Sequence, residues 1–225
     1  MTPTPEPPAI AGEIFGERLE LVVRYAGLLT GPGIDRGLLG PREAPRLWER
    51  HLLNCAVLTR LLPPEARIVD IGSGAGLPGL VIAIQRPDIQ VDLVEPLLRR
   101  SVFLREAVAE LGLADQVRVF RGRAEEASLR AEVGLSQWVT ARAVAPLDRL
   151  GSWCLPLLSA GGYLLAMKGE SAGEEAAEHA AALRRLGAGK VEVMSLDDGV
   201  GGVVRVVVVA RGGKPRAAAL SRRSQ

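Results

Sequence analysis

The densest run of residues able to do chemistry is Asp70-Ile71-Gly72-Ser73-Gly74-Ala75-Gly76-Leu77-Pro78-Gly79. Glycine has no Cβ, so the backbone can approach a ligand closely at Gly72, Gly74 and Gly76. Gly74-x-Gly76-x-x-Gly79 matches a dinucleotide fingerprint, a spacing of low specificity by itself. The more informative pattern is acid-x-Gly-x-Gly-x-Gly, headed by Asp70. A carboxylate there would repel the pyrophosphate of a dinucleotide. It would suit a ligand with a cationic end, such as the ammonium or sulfonium of S-adenosylmethionine. A second acid, Glu95, closes the run Val91-Asp92-Leu93-Val94-Glu95, nineteen residues after Gly76. An acid at the end of the second strand of such a unit accepts hydrogen bonds from ribose hydroxyls. The alternative is a structural glycine turn in some other α/β protein.

Three further polar stretches follow apolar runs. They are Arg121-Gly122-Arg123-Ala124-Glu125-Glu126, Thr140-Ala141-Arg142-Ala143 and Lys168-Gly169. In open α/β sheets ligands bind beyond the carboxyl ends of the strands, so these positions border the same crevice. The first stretch could hold an adenine edge. Arg142 and Lys168 are cations at neighbouring strand tips, against the alternative of snorkelling surface cations. His51, in Arg50-His51-Leu52-Leu53-Asn54, stands at the edge of a helical apolar stripe, where a packed and hydrogen-bonded histidine is the alternative to a functional one. Trp48, Trp138 and Trp153 read as core, and with aromatic residues at 4% no base-stacking platform is apparent. Cys55 and Cys154 lack metal-ligand spacing and read as buried thiols.

These residues need a frame, and the hydrophobic pattern supplies one. Ile68, Val69 and Ile71 form a short apolar strand that runs into the glycines, and Pro78 suits the first turn of the helix that follows. Strands are predicted over about 67–71, 90–95, 117–121, 137–141, 163–168, 190–196 and 203–210. Helices are predicted over about 78–86, 97–111, 146–158 and 172–186, with Gly112 capping the second. Alternating strands and helices imply a doubly wound, seven-stranded, mostly parallel sheet. The last two strands have no helix between them and should pair antiparallel. Ahead of the sheet, Phe15, Leu19, Val22, Ala26 and Leu29 mark one amphipathic helix, ended by Gly31-Pro32-Gly33. Trp48, Leu52, Cys55, Leu58 and Leu62 mark a second, stopped by Pro63-Pro64. Residues 1–9 read as disordered. The organisation expected is an N-terminal helical extension over 1–64, a core domain over 65–212 and a basic, disordered tail over 213–225.

Composition sets limits. The chain of 225 residues is 48% hydrophobic and 24% charged, ordinary for a globular protein with one large core. No apolar run reaches the length of a membrane span, and the proline-rich start lacks a signal-peptide pattern, so a cytoplasmic protein without membrane contact is expected. The net charge of +2 is unevenly placed. Arg211, Lys214, Arg216, Arg222 and Arg223 crowd the last fifteen residues without an acid, leaving the body slightly acidic. Such a tail could add sequence-independent phosphate affinity or could simply be solvated.

The motifs together resemble the RsmG (GidB) family of small-subunit ribosomal RNA guanine-N7 methyltransferases. The likeness runs from about Trp48 to Gly169. It is carried by Arg50-His51-Leu52-Leu53, the Asp70–Gly79 run, Arg86-Pro87, Arg99-Arg100 with Phe103-Leu104-Arg105, Arg123-Ala124-Glu125, Arg142-Ala143, Trp153-Cys154 and Lys168-Gly169. Two places depart from the pattern: Asn54-Cys55 stands where members have Asp-Ser, and Leu29-Thr30-Gly31-Pro32-Gly33 replaces Asn-Leu-Thr. The resemblance implies S-adenosylmethionine as cofactor, with contacts at Gly72, Leu77, Ala124, Glu125 and Arg142 and the ribose acid at Glu95; the motif reading adds Asp70, Gly74 and Gly76 to the expected cofactor site. The resemblance also implies 16S ribosomal RNA as substrate, in the small subunit or its assembly intermediate; from their places at the crevice, His51, Arg123, Arg142 and Lys168 are expected to meet the RNA, Lys168 touching RNA alone. No catalytic acid or base and no metal is expected, because guanine N7 carries a lone pair and no proton. A monomer is expected. Two rivals stay open: a small-molecule methyltransferase on the same fold, and a non-catalytic protein that binds S-adenosylmethionine and RNA.

Overall fold

Side-chain parity along β1 (Arg67–Ile71) divides the molecule into two apolar layers. Ile68 packs with the N-terminal helices, while Val69 and Ile71 pack with the helices of the other face. The computed structural model describes residues 3–213. Its strands are β1, β2 (Gln90–Val94), β3 (Val117–Phe120), β4 (Ser136–Arg142), β5 (Leu158–Lys168), β6 (Ala188–Asp197) and β7 (Val203–Arg211). They form one sheet in the order β3-β2-β1-β4-β5-β7-β6. β1 to β5 run parallel, and β7 lies antiparallel between β5 and β6. This is the doubly wound, mostly parallel sheet that the alternation of elements predicts, closed by the expected hairpin.

One face is covered by the N-terminal segment. α1 (Ala9–Phe15) and α2 (Leu19–Leu28) break at Gly16, whose φ of 51° no longer continues a helix. A mixed helical run over residues 41–61, with α3 (Asn54–Ala56) in its middle, follows. These pieces pack on α4 (Gly79–Gln85), in which Leu80, Val81, Ile82, Ala83 and Ile84 are all buried. A helix that is apolar all round needs cover on every side, and the N-terminal helices complete it. α5 (Leu98–Glu110) packs on β3 and contributes to the same apolar layer as α4; α6 (Ala127–Val133), α7 (Leu147–Cys154) and α8 (Ala172–Arg185) cover the opposite face.

The structure corrects several sequence expectations. Residues 3–8 are extended and pinned rather than disordered: Trp48 Nε1 donates to Pro5 O at 2.9 Å, and Thr4 Oγ1 meets Thr30 Oγ1 at 2.7 Å. Gly31 kinks the end of α2 without stopping the helical path. α6 was not foreseen, because seven residues with only Leu129 and Val133 buried leave almost no periodic signal. β5 begins at Leu158, ahead of Gly161-Gly162, so α7 is shorter than its apolar run suggests. Arg211 belongs to β7 and donates to the carbonyls of Leu155 and Leu158. The rest of the expected basic tail, from Lys214, lies outside the described residues. No described helix is long and apolar enough to cross a membrane. Cys55 and Cys154 are buried free thiols, as expected.

Candidate active site

The strand order reverses between β1 and β4, and the crevice at that switch point opens beyond the carboxyl ends of both strands. Here lies a cavity of about 500 Å³, within the size range of small-molecule sites. Its first wall is the turn after β1. Gly72 and Ser73 donate their N–H groups to Val94 O at 2.9 and 3.1 Å, which folds the turn over the end of β2. Gly72 holds a φ of 69°, and a Cβ there would lie 2.8 Å from Val144 Cγ2. Gly76, also at positive φ, is required by packing: a Cβ would sit 2.5 Å from Leu80 Cδ1. The cavity is lined by Gly72, Ser73, Gly74, Ala75 and Leu77, and Gly76 is not among the lining residues.

Two buried carboxyl groups hold this turn, in different ways. Glu95 lines the cavity and is 1% exposed. Its Oε2 accepts from Gly74 N at 2.9 Å and its Oε1 from Leu97 N at 2.9 Å, with Arg100 4.0 Å away. Asp70 does not line the cavity. It shares the face of β1 that carries Ile68, so its carboxyl points beneath the turn, accepting from Thr140 Oγ1 at 3.0 Å and Gly79 N at 3.2 Å. Burial raises its pKa to about 7, against the opposing effect of those hydrogen bonds. The expectation that Asp70 faces a cationic ligand is therefore corrected: strand parity turns it inward, and it braces the start of α4.

The second wall comes from β4 and from the N-terminal run. Arg142 lines the cavity, and its Nη2 donates to Arg50 O at 3.0 Å and to His51 Nδ1 at 2.9 Å. Its Nη1 lies 3.5 Å from Cys55 Sγ. His51 Nε2 sits 2.8 Å from Glu43 Oε2. Burial, and then the Arg142 charge, lower the His51 pKa, against the hydrogen bond to Glu43. Burial pushes the Cys55 thiol up to about 11, although Arg142 opposes it. Gly122, Arg123, Ala124 and Glu125, after β3, form the third wall, with Arg123 and Glu125 exposed at the rim.

Lys168 is placed differently from the expectation. It is not among the residues lining the cavity; its Nζ donates to Ala145 O and Glu175 Oε1, both at 2.7 Å, and its side chain is 10% exposed. Glu175 Oε1 also accepts from Leu147 N at 2.9 Å. The pair thus fastens the segment after β4, in which Ala143 and Val144 line the cavity and Ala143 holds a φ of 52°. Trp153, expected in the core, also lines the cavity, with Arg149 4.8 Å over its ring; Trp48 and Trp138 are buried as expected.

Sequence reasoning missed Tyr25, whose buried hydroxyl donates to Ala75 O at 2.7 Å, and Glu43, Val144 and Glu175. Tyr25 lies on the apolar stripe of α2, three residues after Val22, yet nothing local reveals where its hydroxyl points.

The GidB family model, described as rRNA small subunit methyltransferase G, matches residues 18–201. The chain is 59% identical over 202 residues to the ribosomal RNA small subunit methyltransferase G of Salinispora arenicola, covering 88% of this chain and 84% of that one. Against the protein of the same name from Salinispora tropica it is 58% identical over 202 residues, with coverage of 88% and 84%. Among solved structures, the precorrin-6y C5,15-methyltransferase of Geobacter metallireducens superposes with a TM-score of 0.52 at 14% identity, covering 79% of this chain and 91% of that one. That likeness speaks for the fold alone.

Proposed function

Because the chain belongs to the GidB family of small-subunit ribosomal RNA methyltransferases, we propose that it transfers a methyl group from S-adenosylmethionine to N7 of a guanine in 16S ribosomal RNA. The observation that carries the cofactor reading is the pairing of the Gly72–Ala75 turn with Glu95 on one cavity wall. The cavity fits the group: it has the volume of a small-molecule site, a bare backbone wall, and a carboxylate whose remaining lone pairs can accept from ribose hydroxyls. Gly72, Gly74 and Leu77 would line it, Glu95 would hold the ribose, and Ala124 with Glu125 would meet the adenine.

When bound, S-adenosylmethionine supplies an electrophilic methyl on a sulfonium. Guanine N7 brings a lone pair and no proton, so this chain need not supply a base. Its work is positioning: holding two reactants in line and close. Arg142, which lines the cavity, would do that work. Arg123 at the rim is placed to meet a phosphate or a base edge. An RNA base must be unstacked to enter such a cavity, which favours a loop nucleotide as target. The test is mass-spectrometric mapping of 7-methylguanosine in 16S ribosomal RNA from a strain lacking the protein. One methylated guanine should disappear and return on complementation. An unchanged map would overturn the reading.

A further inference from the structure

Arg142 reaches the cavity, but most of its fork is already spoken for. A guanidinium has five N–H donors and no acceptor. Both protons of Nη2 are committed, to Arg50 O and to His51 Nδ1. His51 Nδ1 must therefore offer a lone pair, since a proton there would set two donors face to face at 2.9 Å. The ring proton then resides on Nε2, where Glu43 Oε2 accepts it at 2.8 Å. Glu43 and His51 come from one helical run, eight residues apart, and Arg142 from the tip of β4. The N-terminal segment thus sets the orientation of a side chain that the sheet supplies.

We propose that Glu43 and His51 form a positioning pair: Glu43 fixes the His51 tautomer, and His51 Nδ1 fixes the Arg142 guanidinium at the cavity. The proposal rests on the methyl-transfer reading for the use made of Arg142, but the geometry of the pair stands without it. His51 itself lines the cavity beside Arg142, and its part in the pair is to hold that guanidinium. The charged groups facing it are Glu43, Arg142 and Arg50. Protonation of His51 would remove the lone pair and release Arg142. Burial and the Arg142 charge hold that titration below the ordinary histidine range, so turnover should fall only on the acid side of it.

Two substitutions separate the nitrogens. The amide oxygen of asparagine stands where Nδ1 stands, and the amide of glutamine reaches where Nε2 stands. H51N should lose less kcat/KM on small-subunit particles than H51Q, which, losing a charge-assisted bond to Arg142, should lose about tenfold or more. The acid limb of the wild-type rate should be absent in H51N. Independently of turnover, nitrogen-15 NMR of the cofactor-free protein should show His51 with its proton on Nε2, and E43A should mix the tautomers. Melting curves of each variant show that it is folded, and E43A, at a partly exposed site, serves if H51Q does not fold. Equal losses in H51N and H51Q, or a proton on Nδ1, would overturn the pair. A wild-type protein that transfers no methyl would instead overturn the functional reading and leave the NMR result standing.

Discussion

The two long walls of the cavity are made of different material. The wall after β1 is backbone, with Gly72 to Ala75 held by Val94 O, Glu95 and Tyr25. The wall after β4 is side chain and strained loop: Arg142 held by Arg50 and His51, and the Ala143–Val144 segment held by Lys168 and Glu175. The first owes its shape mostly to residues within one short stretch and the strand beside it. The second depends on partners from the N-terminal run and from α8. A backbone wall should therefore fail outright when it is obstructed, and a side-chain wall should fail by degrees as its supports are withdrawn.

The harshest test of that contrast is Gly72→Val. Its φ of 69° disfavours a branched residue, and the new Cβ would meet Val144 at 2.8 Å. Strain and overlap of this kind cost several kcal/mol, so affinity for S-adenosylmethionine should drop by about a hundredfold or more in calorimetry. Near-normal affinity would mean that the turn is not the ligand wall.

Glu95→Ala comes next. Losing a charge-assisted acceptor is worth about 1.5–3 kcal/mol, or roughly tenfold to a hundredfold in cofactor affinity. Since both carboxylate oxygens already tie backbone N–H groups, the cofactor-free protein should also melt lower. Unchanged melting with weakened binding would assign Glu95 to the ligand alone.

On the other wall, Lys168→Ala and Glu175→Ala should each lower turnover by about tenfold, and the double variant should lose little more, because both remove one fastening. A Lys168→Ala loss that Glu175→Ala does not share would return Lys168 to direct RNA contact. Steady-state rates on small-subunit particles decide between them.

The smallest effect concerns Asp70, beneath the turn. Its folded pKa of about 7 lies above the unfolded value of about 3.9. Between these values the folded protein keeps a proton that the unfolded chain has released. Asp70 therefore lowers stability as pH rises through that window, and contributes no further change above it. Asp70→Asn should remove this slope and be the more stable form at pH 8 in urea titrations. A slope that persists in the variant would assign the titration to another group.

The same contrast explains what the sequence made legible. The glycine turn was readable because its geometry is encoded in adjacent residues, and Glu95 because strand length fixes its distance from the turn. The sheet was readable because each parallel strand is bounded by turn residues. Asp70 was misread although the information was present: it is two residues from Ile68 on the same strand, so it shares the face of a core residue. Lys168 was legible only in part. Its position at a strand tip was correct, but its partner Glu175 sits on a helix whose acidic face looks like ordinary solvent exposure. Tyr25 and Glu43 act through bonds that span 50 and 8 residues, and neither carries a periodic mark.

The position of β7 has a consequence for biosynthesis. It is the last described strand to be made, yet it lies between β5 and β6, with Val206, Val207, Val208 and Val209 buried. Until it arrives, β5 presents the unpaired backbone edge of Leu164, Leu165, Ala166 and Met167, an apolar template for other chains. A product broken off after β6 would carry the whole glycine turn and every cavity residue named above, and would still be a sticky, open sheet. Chains that lack β7 would thus be aggregation-prone fragments rather than weakened enzymes.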